Sequence, residues 1–246
     1  METPLENSLL KIVCLNIEHS LHIERIIPFL QKYHPDVILL QEVSFKDVSR
    51  FEETLGMKGI FLYLYSILRN GIQEPSGQAT FSKLPLIKSY SSYYRGDPGN
   101  PPPQIPHGDG EKQNRAILVT DVIKAKEQYC LINTHFTWSP KGQPNDHQFQ
   151  DLEKLFQLLS TIPDFILCGD FNAPRGTPIF DAIASRYKDN IPPHVMTTID
   201  KNWHKAGDLQ IVVDGFFTTP KYHVKSIELV NNISDHWGIL AEVKKK

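Results

Sequence analysis

Polar residues recur at the carboxyl ends of hydrophobic runs that would otherwise be chemically bland. Asn16 ends Ile12-Val13-Cys14-Leu15, Glu42 ends Val37-Ile38-Leu39-Leu40-Gln41, and Asp170 with Asn172 closes Phe165-Ile166-Leu167-Cys168-Gly169. Asp214 sits inside the run from Leu209 to Phe217, and His135 and the pair Asp235-His236 complete the set. Singly, each has an innocent reading: Asn16 and Asn172 as turn formers, Glu42 as a helix-start residue, His135 as a satisfied core histidine. Together they read differently. Four acids gathered at neighbouring strand ends repel one another and require a cation. Hard carboxylate and amide oxygens suit Mg²⁺ or Mn²⁺, and the His and Cys spacing of a zinc site is absent. The chemistry such a centre offers is hydrolysis by activated water.

The elements that must position these residues follow from periodicity. Residues 10–17, 36–43, 115–123, 128–136, 164–170, 209–217 and 237–243 read as strands, several apolar on both faces, with further strands at 59–67 and 77–82. The clearest helix runs from about Asp146 to Ser160, with Phe149, Leu152, Phe156 and Leu159 on one stripe. A second starts after Thr177, read as an N-cap, with Pro178 in the first helical position. The stretch from Leu21 to Tyr33 is helical in pattern but contains Pro28, which predicts a kink or a late start. Residues 95–113, with Pro101, Pro102 and Pro103, read as a long loop that forms either a groove wall or a surface insertion. Strands alternating with helices over the whole length, without repeats, predict one α/β domain spanning 1–246.

The bulk numbers bound the function. The 246 residues are 40% hydrophobic and 22% charged, and 26 basic against 28 acidic residues leave a net charge of −2. That balance lacks the strongly basic character of a protein gripping long nucleic acid. Cys14, Cys130 and Cys168 are singletons in apolar runs, read as reduced core residues. Glu2, Glu6 and Lys11 argue against a secretory leader, and no run approaches the roughly 20 apolar residues of a membrane span, so a cytoplasmic monomer without membrane insertion is expected.

Six short motifs now carry a resemblance: Leu15-Asn16-Ile17, Leu40-Gln41-Glu42-Val43, Asn133-Thr134-His135-Phe136, Gly169-Asp170-Phe171-Asn172, Val213-Asp214-Gly215-Phe216 and Ser234-Asp235-His236-Trp237. In this order the chain resembles the endonuclease/exonuclease/phosphatase superfamily, the DNase I-like fold, over nearly its whole length. Gly77 to Ser82 and Asn114-Arg115-Ala116 look like its intervening strands. The resemblance implies a four-layered α/β sandwich, two mixed β-sheets packed face to face and flanked by helices. It further implies that Glu42 binds Mg²⁺ (or Mn²⁺), flanked by Asn16 and Asp235, while Asp170 orients or deprotonates the attacking water and Asn172 hydrogen-bonds the phosphoryl group. His236, held by Asp214, would offset charge on the phosphoryl oxygens, and His135 looks like the family's second phosphate-facing histidine. Arg115 is a further candidate donor to the substrate, against a surface ion pair.

Departures narrow the branch. Val213 precedes Asp214 and Gly215 follows it where many family nucleases carry an Arg and a Tyr, and Val43-Ser44 replaces the residues that mark abasic-site endonucleases. A phosphodiester substrate is expected, with a nuclease or DNA-repair phosphodiesterase ahead of a hydrolase of small phosphoesters or phospholipid headgroups, and a non-catalytic binding module third. Lys201, His204 and Lys205, with Tyr93, Tyr94 and Arg95, are candidates to line a groove, or are ordinary surface.

Overall fold

The computed structural model describes residues 9–99 and 113–246. In chain order its strands and helices are β1 (Leu10–Asn16), α1 (Ile23–Tyr33), β2 (Val37–Ser44), α2 (Val48–Leu55), β3 (Lys58–Arg69), β4 (Ile72–Ser82), β5 (Leu86–Arg95), β6 (Arg115–Lys124), β7 (Glu127–His135), α3 (Asp146–Ser160), β8 (Ile166–Asp170), α4 (Pro178–Arg186), β9 (Lys188–Asp189), β10 (Asp214–Thr218), β11 (Tyr222–Val230) and β12 (Gly238–Lys245). They form two six-stranded mixed sheets, ordered β11-β12-β1-β2-β4-β3 and β5-β6-β7-β8-β10-β9. Each sheet has one parallel pair at its centre, β1 with β2 and β7 with β8, and a helix crosses between the two strands of each pair, α1 in the first and α3 in the second.

Alternation along the strands explains the layers. In β1, Leu10, Ile12 and Cys14 face the other sheet and meet Leu131, Ile166 and Cys168, while Val13 and Leu15 face outward against Ile26, Phe29 and Leu30 of α1. The second sheet repeats this outward, with Ile132 and Leu167 against Leu152, Leu155 and Leu159 of α3 and Ile179 and Phe180 of α4. Toward the carboxyl ends of the parallel strands the seam between the sheets turns polar. The amide of Gln41 donates to Asn133 Oδ1 at 2.7 Å, Asn133 donates to the carbonyls of Leu40 and Ala79, and Gln78 to those of Ala116 and Asn133. All three side chains are fully buried, so this network fixes the sheets' mutual register as well as their distance.

Gly169 is required where β8 passes β7: a Cβ there would lie 1.8 Å from the Thr134 carbonyl oxygen, at a φ of +152°. Gly215 leaves room for Phe171 and Phe217, whose rings meet edge to face at 5.1 Å.

Several expectations need correction. The strand expected from Leu209 starts only at Asp214, because the Val212 and Val213 carbonyls are taken by Arg175 and Phe171 of the neighbouring loop instead of a ladder. Phe149 is exposed, since the buried stripe of α3 runs through Gln148, Asp151, Leu152, Leu155 and Leu159. The Thr177 hydroxyl does not cap α4; it donates to Pro174 O. The helix containing Pro28 starts late, at Ile23, and runs through the proline. Cys130 is half-buried, while Cys14 and Cys168 are in the core, all as free thiols. Unforeseen elements are α2, β5, β9 and β11. The expected loop 95–113 begins where β5 ends, at Arg95, and its residues 100–112, including the prolines, lie outside the described residues. Among the described residues no helix is long and apolar enough to cross a membrane.

Candidate active site

The parallel strands deliver their last residues to one edge of the sandwich. In the first sheet Asn16 ends β1 in register with Gln41, and Glu42 follows on a bulge with φ +56°. In the second, His135 pairs with Asp170, and Asp214 at the start of β10 lies opposite Asp170. Asp235 and His236 come from the turn before β12, which is pinned by Asp200 N–H to Asp235 O at 2.8 Å and by a bridge between Ile199 and His236.

These residues converge. The Asn16 amide donates to both Glu42 Oε1 (3.3 Å) and Asp170 Oδ2 (3.1 Å), so one side chain joins the two sheets at the site. His236 Nδ1 meets Asp214 Oδ2 at 2.9 Å, which turns Nε2 toward Asp170 Oδ2, 3.8 Å away. His135 Nε2 lies 3.5 Å from Asp170 Oδ2 and 3.8 Å from Glu42 Oε1. Asn172, at φ +50°, donates its backbone N–H to Asp170 Oδ1 (2.8 Å) and its amide to Phe136 O. The buried Asp235 accepts from the Ser234 hydroxyl. Glu42, Asp170, Asn172, Asp235 and His236 line one cleft of about 270 Å³, whose rim adds Trp138, His204 and Lys205.

Of the expected groove residues His204 and Lys205 line the cleft, while Lys201, Tyr93, Tyr94 and Arg95 lie elsewhere. Tyr94 is a core residue bonded to Thr134 and His135, and Arg95 pairs with Asp151 at 2.5 Å. Arg115 is no surface ion pair: it is fully buried, donates to His135 O at 3.2 Å and to Gln113, and leaves its Nε without a partner among the described residues. Sequence reasoning missed His19, whose Nε2 lies 3.0 Å from Glu42 Oε2, and Thr198, whose hydroxyl oxygen accepts the backbone N–H groups of Val213 and Asp214. His19 follows Asn16 by three residues, a spacing that signals proximity only once the chain turns back on itself.

Crowding sets the protonation states. Burial resists ionisation of Glu42, but the facing His19 and His135 and the Asn16 amide outweigh it and hold the carboxyl at about 2. Asp170 goes the other way: burial and the neighbouring Asp214 raise it to about 7 against the pull of His236. Asp235 rises to about 6 through burial, with Glu42 and Glu18 adding repulsion that His236 partly offsets. Burial disfavours the His236 imidazolium, yet Asp214, Asp170 and Asp235 overcome it and lift its pKa well above 6.5. Burial and Arg115 keep His135 neutral.

Whether a divalent cation fits can be judged from the donors. Glu42 is an ionised carboxylate opening onto the cleft, beside the Asn16 amide and the carboxyl of Asp235, whose raised pKa records the repulsion a cation would relieve. A second group, Asp170, Asp214 and His236, brings donor atoms within 4.8 Å of one another. An ion there would have to displace the 2.9 Å bond between His236 and Asp214, so the Glu42 side fits better.

The sequence profile of the endonuclease/exonuclease/phosphatase family matches residues 14–236, a span that includes every residue of the site from Asn16 to His236. The chain belongs to this family. Membership places it among phosphoester hydrolases whose enzymes depend on divalent metals, with the DNase I-like fold. No curated protein sequence matches it. Among solved structures, the human nocturnin catalytic domain with bound sulfate aligns at TM-score 0.73 and 18% identity, covering 97% of this chain and 94% of that one. D. rerio TDP2 complexed with a single-strand DNA product gives 0.69 and 17%, covering 97% and 100%. The mannosyl-6-phosphatase of Bacteroides thetaiotaomicron gives 0.72 and 14%, covering 95% and 99%.

Proposed function

We propose that this family member is a Mg²⁺- or Mn²⁺-dependent phosphodiesterase acting on nucleic acid, as a nuclease or DNA-repair phosphodiesterase. The observation that carries the chemistry is the split between two neighbouring carboxylates: Glu42 stays anionic while Asp170 titrates near neutrality. Such a pair divides into a ligand and a base.

Glu42 and Asp235 would hold the cation, joined by Asn16 once its amide turns to present Oδ1, which here accepts from Glu18 N–H, in place of the N–H groups it now donates to Glu42 and Asp170; the cation when bound neutralises phosphate charge and makes water more acidic. Asp170 accepts the proton of the attacking water, its orientation fixed by the Asn172 N–H. The His236 imidazolium, braced by Asp214, donates from Nε2 to a phosphoryl oxygen and offsets the charge that builds there. Asn172 and the neutral His135 contribute further contacts to the phosphoryl group, and the buried Arg115 steadies the His135 backbone and adds positive potential behind it. Trp138, His204 and Lys205 on the rim suit a base and its backbone phosphate.

A second reading, hydrolysis of small phosphoesters, is favoured by the net charge of −2 and by the similarity to a phosphatase of a sugar phosphate. One panel separates them: abasic DNA, single-stranded DNA, RNA, 5′-tyrosyl DNA, sphingomyelin and inositol phosphates, each with Mg²⁺ or Mn²⁺ and with EDTA. Cleavage of nucleic acids that EDTA abolishes is expected. Turnover of the lipid or inositol compounds alone would overturn the nuclease reading, and turnover of all substrates unchanged by EDTA would overturn the metal.

A further inference from the structure

His19 occupies an expensive backbone position for a residue without an assigned role. Glu18, His19 and Ser20 run consecutively at φ +43°, +54° and +61°, and left-handed backbone costs roughly 1 kcal/mol or more per non-glycine residue. The turn is held by neighbours: Arg69 and the Ser44 hydroxyl both donate to His19 O, at 2.6 and 3.0 Å, and Ser44 N–H donates to Ser20 Oγ. What this arrangement fixes is the direction of the imidazole.

The ring's two nitrogens have distinct surroundings. Nδ1 lies 3.2 Å from Ser76 Oγ, and that hydroxyl already donates its hydrogen to Val43 O at 3.2 Å. With its hydrogen on Val43 O, Ser76 accepts from Nδ1–H, which aims Nε2 at Glu42 Oε2, 3.0 Å away. Two lone pairs at that separation repel unless something positive stands between or beside them. The separation also equals the edge between adjacent ligands of an octahedral ion, which for bonds of about 2.1–2.2 Å is about 3.0 Å. A histidine oriented through its other nitrogen by a hydrogen-bonded neighbour is the usual arrangement of a metal ligand.

We propose that His19 Nε2 is a ligand of the cation held by Glu42, Asn16 and Asp235, and that this imidazole makes the centre prefer a first-row transition ion of the Mn²⁺ class over Mg²⁺. The inference rests on the cation centre of the proposed function. Imidazole suits transition ions, while an all-oxygen site suits Mg²⁺.

The test uses the full chain loaded with Mn²⁺ alone. Three-pulse electron spin echo modulation of the bound ion reports a directly coordinated ¹⁴N, and calorimetry gives Kd for Mn²⁺ and for Mg²⁺. The ¹⁴N coupling is expected in the wild type and in His135→Gln, and is expected to vanish in His19→Asn, chosen because Asn tolerates the left-handed turn. His19→Asn should weaken Mn²⁺ binding by about tenfold or more and Mg²⁺ binding by less, so that the preference collapses. Ser76→Ala, which leaves the turn intact, should weaken Mn²⁺ in the same sense. Bound Mn²⁺ without ¹⁴N coupling would mean that a proton joins His19 to Glu42, and coupling unchanged in His19→Asn that another imidazole is the ligand; either would overturn the inference while leaving the cation centre standing. No Mn²⁺ uptake by the wild type would overturn both.

Discussion

In each sheet the central parallel pair is joined by a crossing helix, β1 to β2 through α1 and β7 to β8 through α3, and each pair presents its last side chains at the same edge. The first sheet brings Asn16 and Glu42, the second His135 and Asp170. The backbone device is common to both, but the electrostatics diverge. Glu42, partly open to the cleft, faces imidazoles and an amide and stays ionised down to about 2, whereas Asp170 is pushed up to about 7 by its burial and by Asp214, against the pull of His236. One sheet therefore offers a permanent anion and the other a group that can take and return a proton near neutral pH. Asn16, donating to both carboxylates, is the hinge of that division.

The sharpest way to break this comparison is to remove one carboxylate from each side. Asp170→Ala should lower kcat by about 10³–10⁴-fold, as loss of a general base does, with no recovery at high cation concentration. Glu42→Gln should instead weaken cation affinity by about 10–100-fold and recover part of its rate when Mn²⁺ is raised. Steady-state rates across a metal titration separate the two, and equal recovery in both variants would show that the sheets do not divide the work.

Asp214→Asn sharpens the second sheet's side. The active form needs Asp170 deprotonated and His236 protonated, so the rate rises with pH as Asp170 loses its proton and falls as His236 loses its own. Asp214 is the leading cause that lifts His236 well above 6.5 against burial. Its removal should pull the alkaline limb of the kcat profile down toward neutral pH and, because Asp214 also raises Asp170, move the acid limb to lower pH with it. At neutral pH the rate should fall by about 10–100-fold. An alkaline limb that stays put would remove the assignment of the His236 imidazolium as the group that offsets charge on the phosphoryl oxygens.

How much of this was legible in the sequence depended on range. The buried strands β1, β2, β7 and β8 announce themselves as apolar runs, and Asn16, Glu42, His135 and Asp170 stand out as the polar residues that terminate them. The exposed strands β5 and β11 did not. Leu86–Arg95 is rich in serine and tyrosine, and Tyr222–Val230 mixes charge with apolar residues, because each is largely open to solvent on one face and its pattern is diluted. His19 was invisible for another reason. Its contact with Glu42 depends on a three-residue left-handed turn for which none of Glu18, His19 and Ser20 has a local signature, and which tertiary bonds from Arg69 and Ser44 impose. Arg115 misled because burial of an arginine cannot be read from a tripeptide. It is set by the His135 carbonyl, 20 residues away in sequence.

The mildest effect on catalysis is expected where the seam between the sheets changes character. Leu131 and Asn133 are both fully buried on β7, Leu131 in the apolar part of the seam and Asn133 in the polar network behind the site. Replacing Leu131 with Met conserves volume and should cost less than about 1.5 kcal/mol, since apolar contacts are interchangeable when the space is filled. Asn133→Leu is equally conservative in size, yet it takes from the Gln41 amide its shortest hydrogen bond, leaving the longer one to Leu39 O, and removes the side-chain donor to the carbonyls of Leu40 and Ala79. Losing those bonds should cost about 2–4 kcal/mol in denaturant unfolding. The kcat of the folded Asn133→Leu protein should change far less than in the carboxylate variants, because none of the groups that lose a bond enters the cleft. If both substitutions cost the same, the polar end of the seam is no more specific than the apolar end, and the convergence of the two sheets at Asn16 must be held by the site residues themselves.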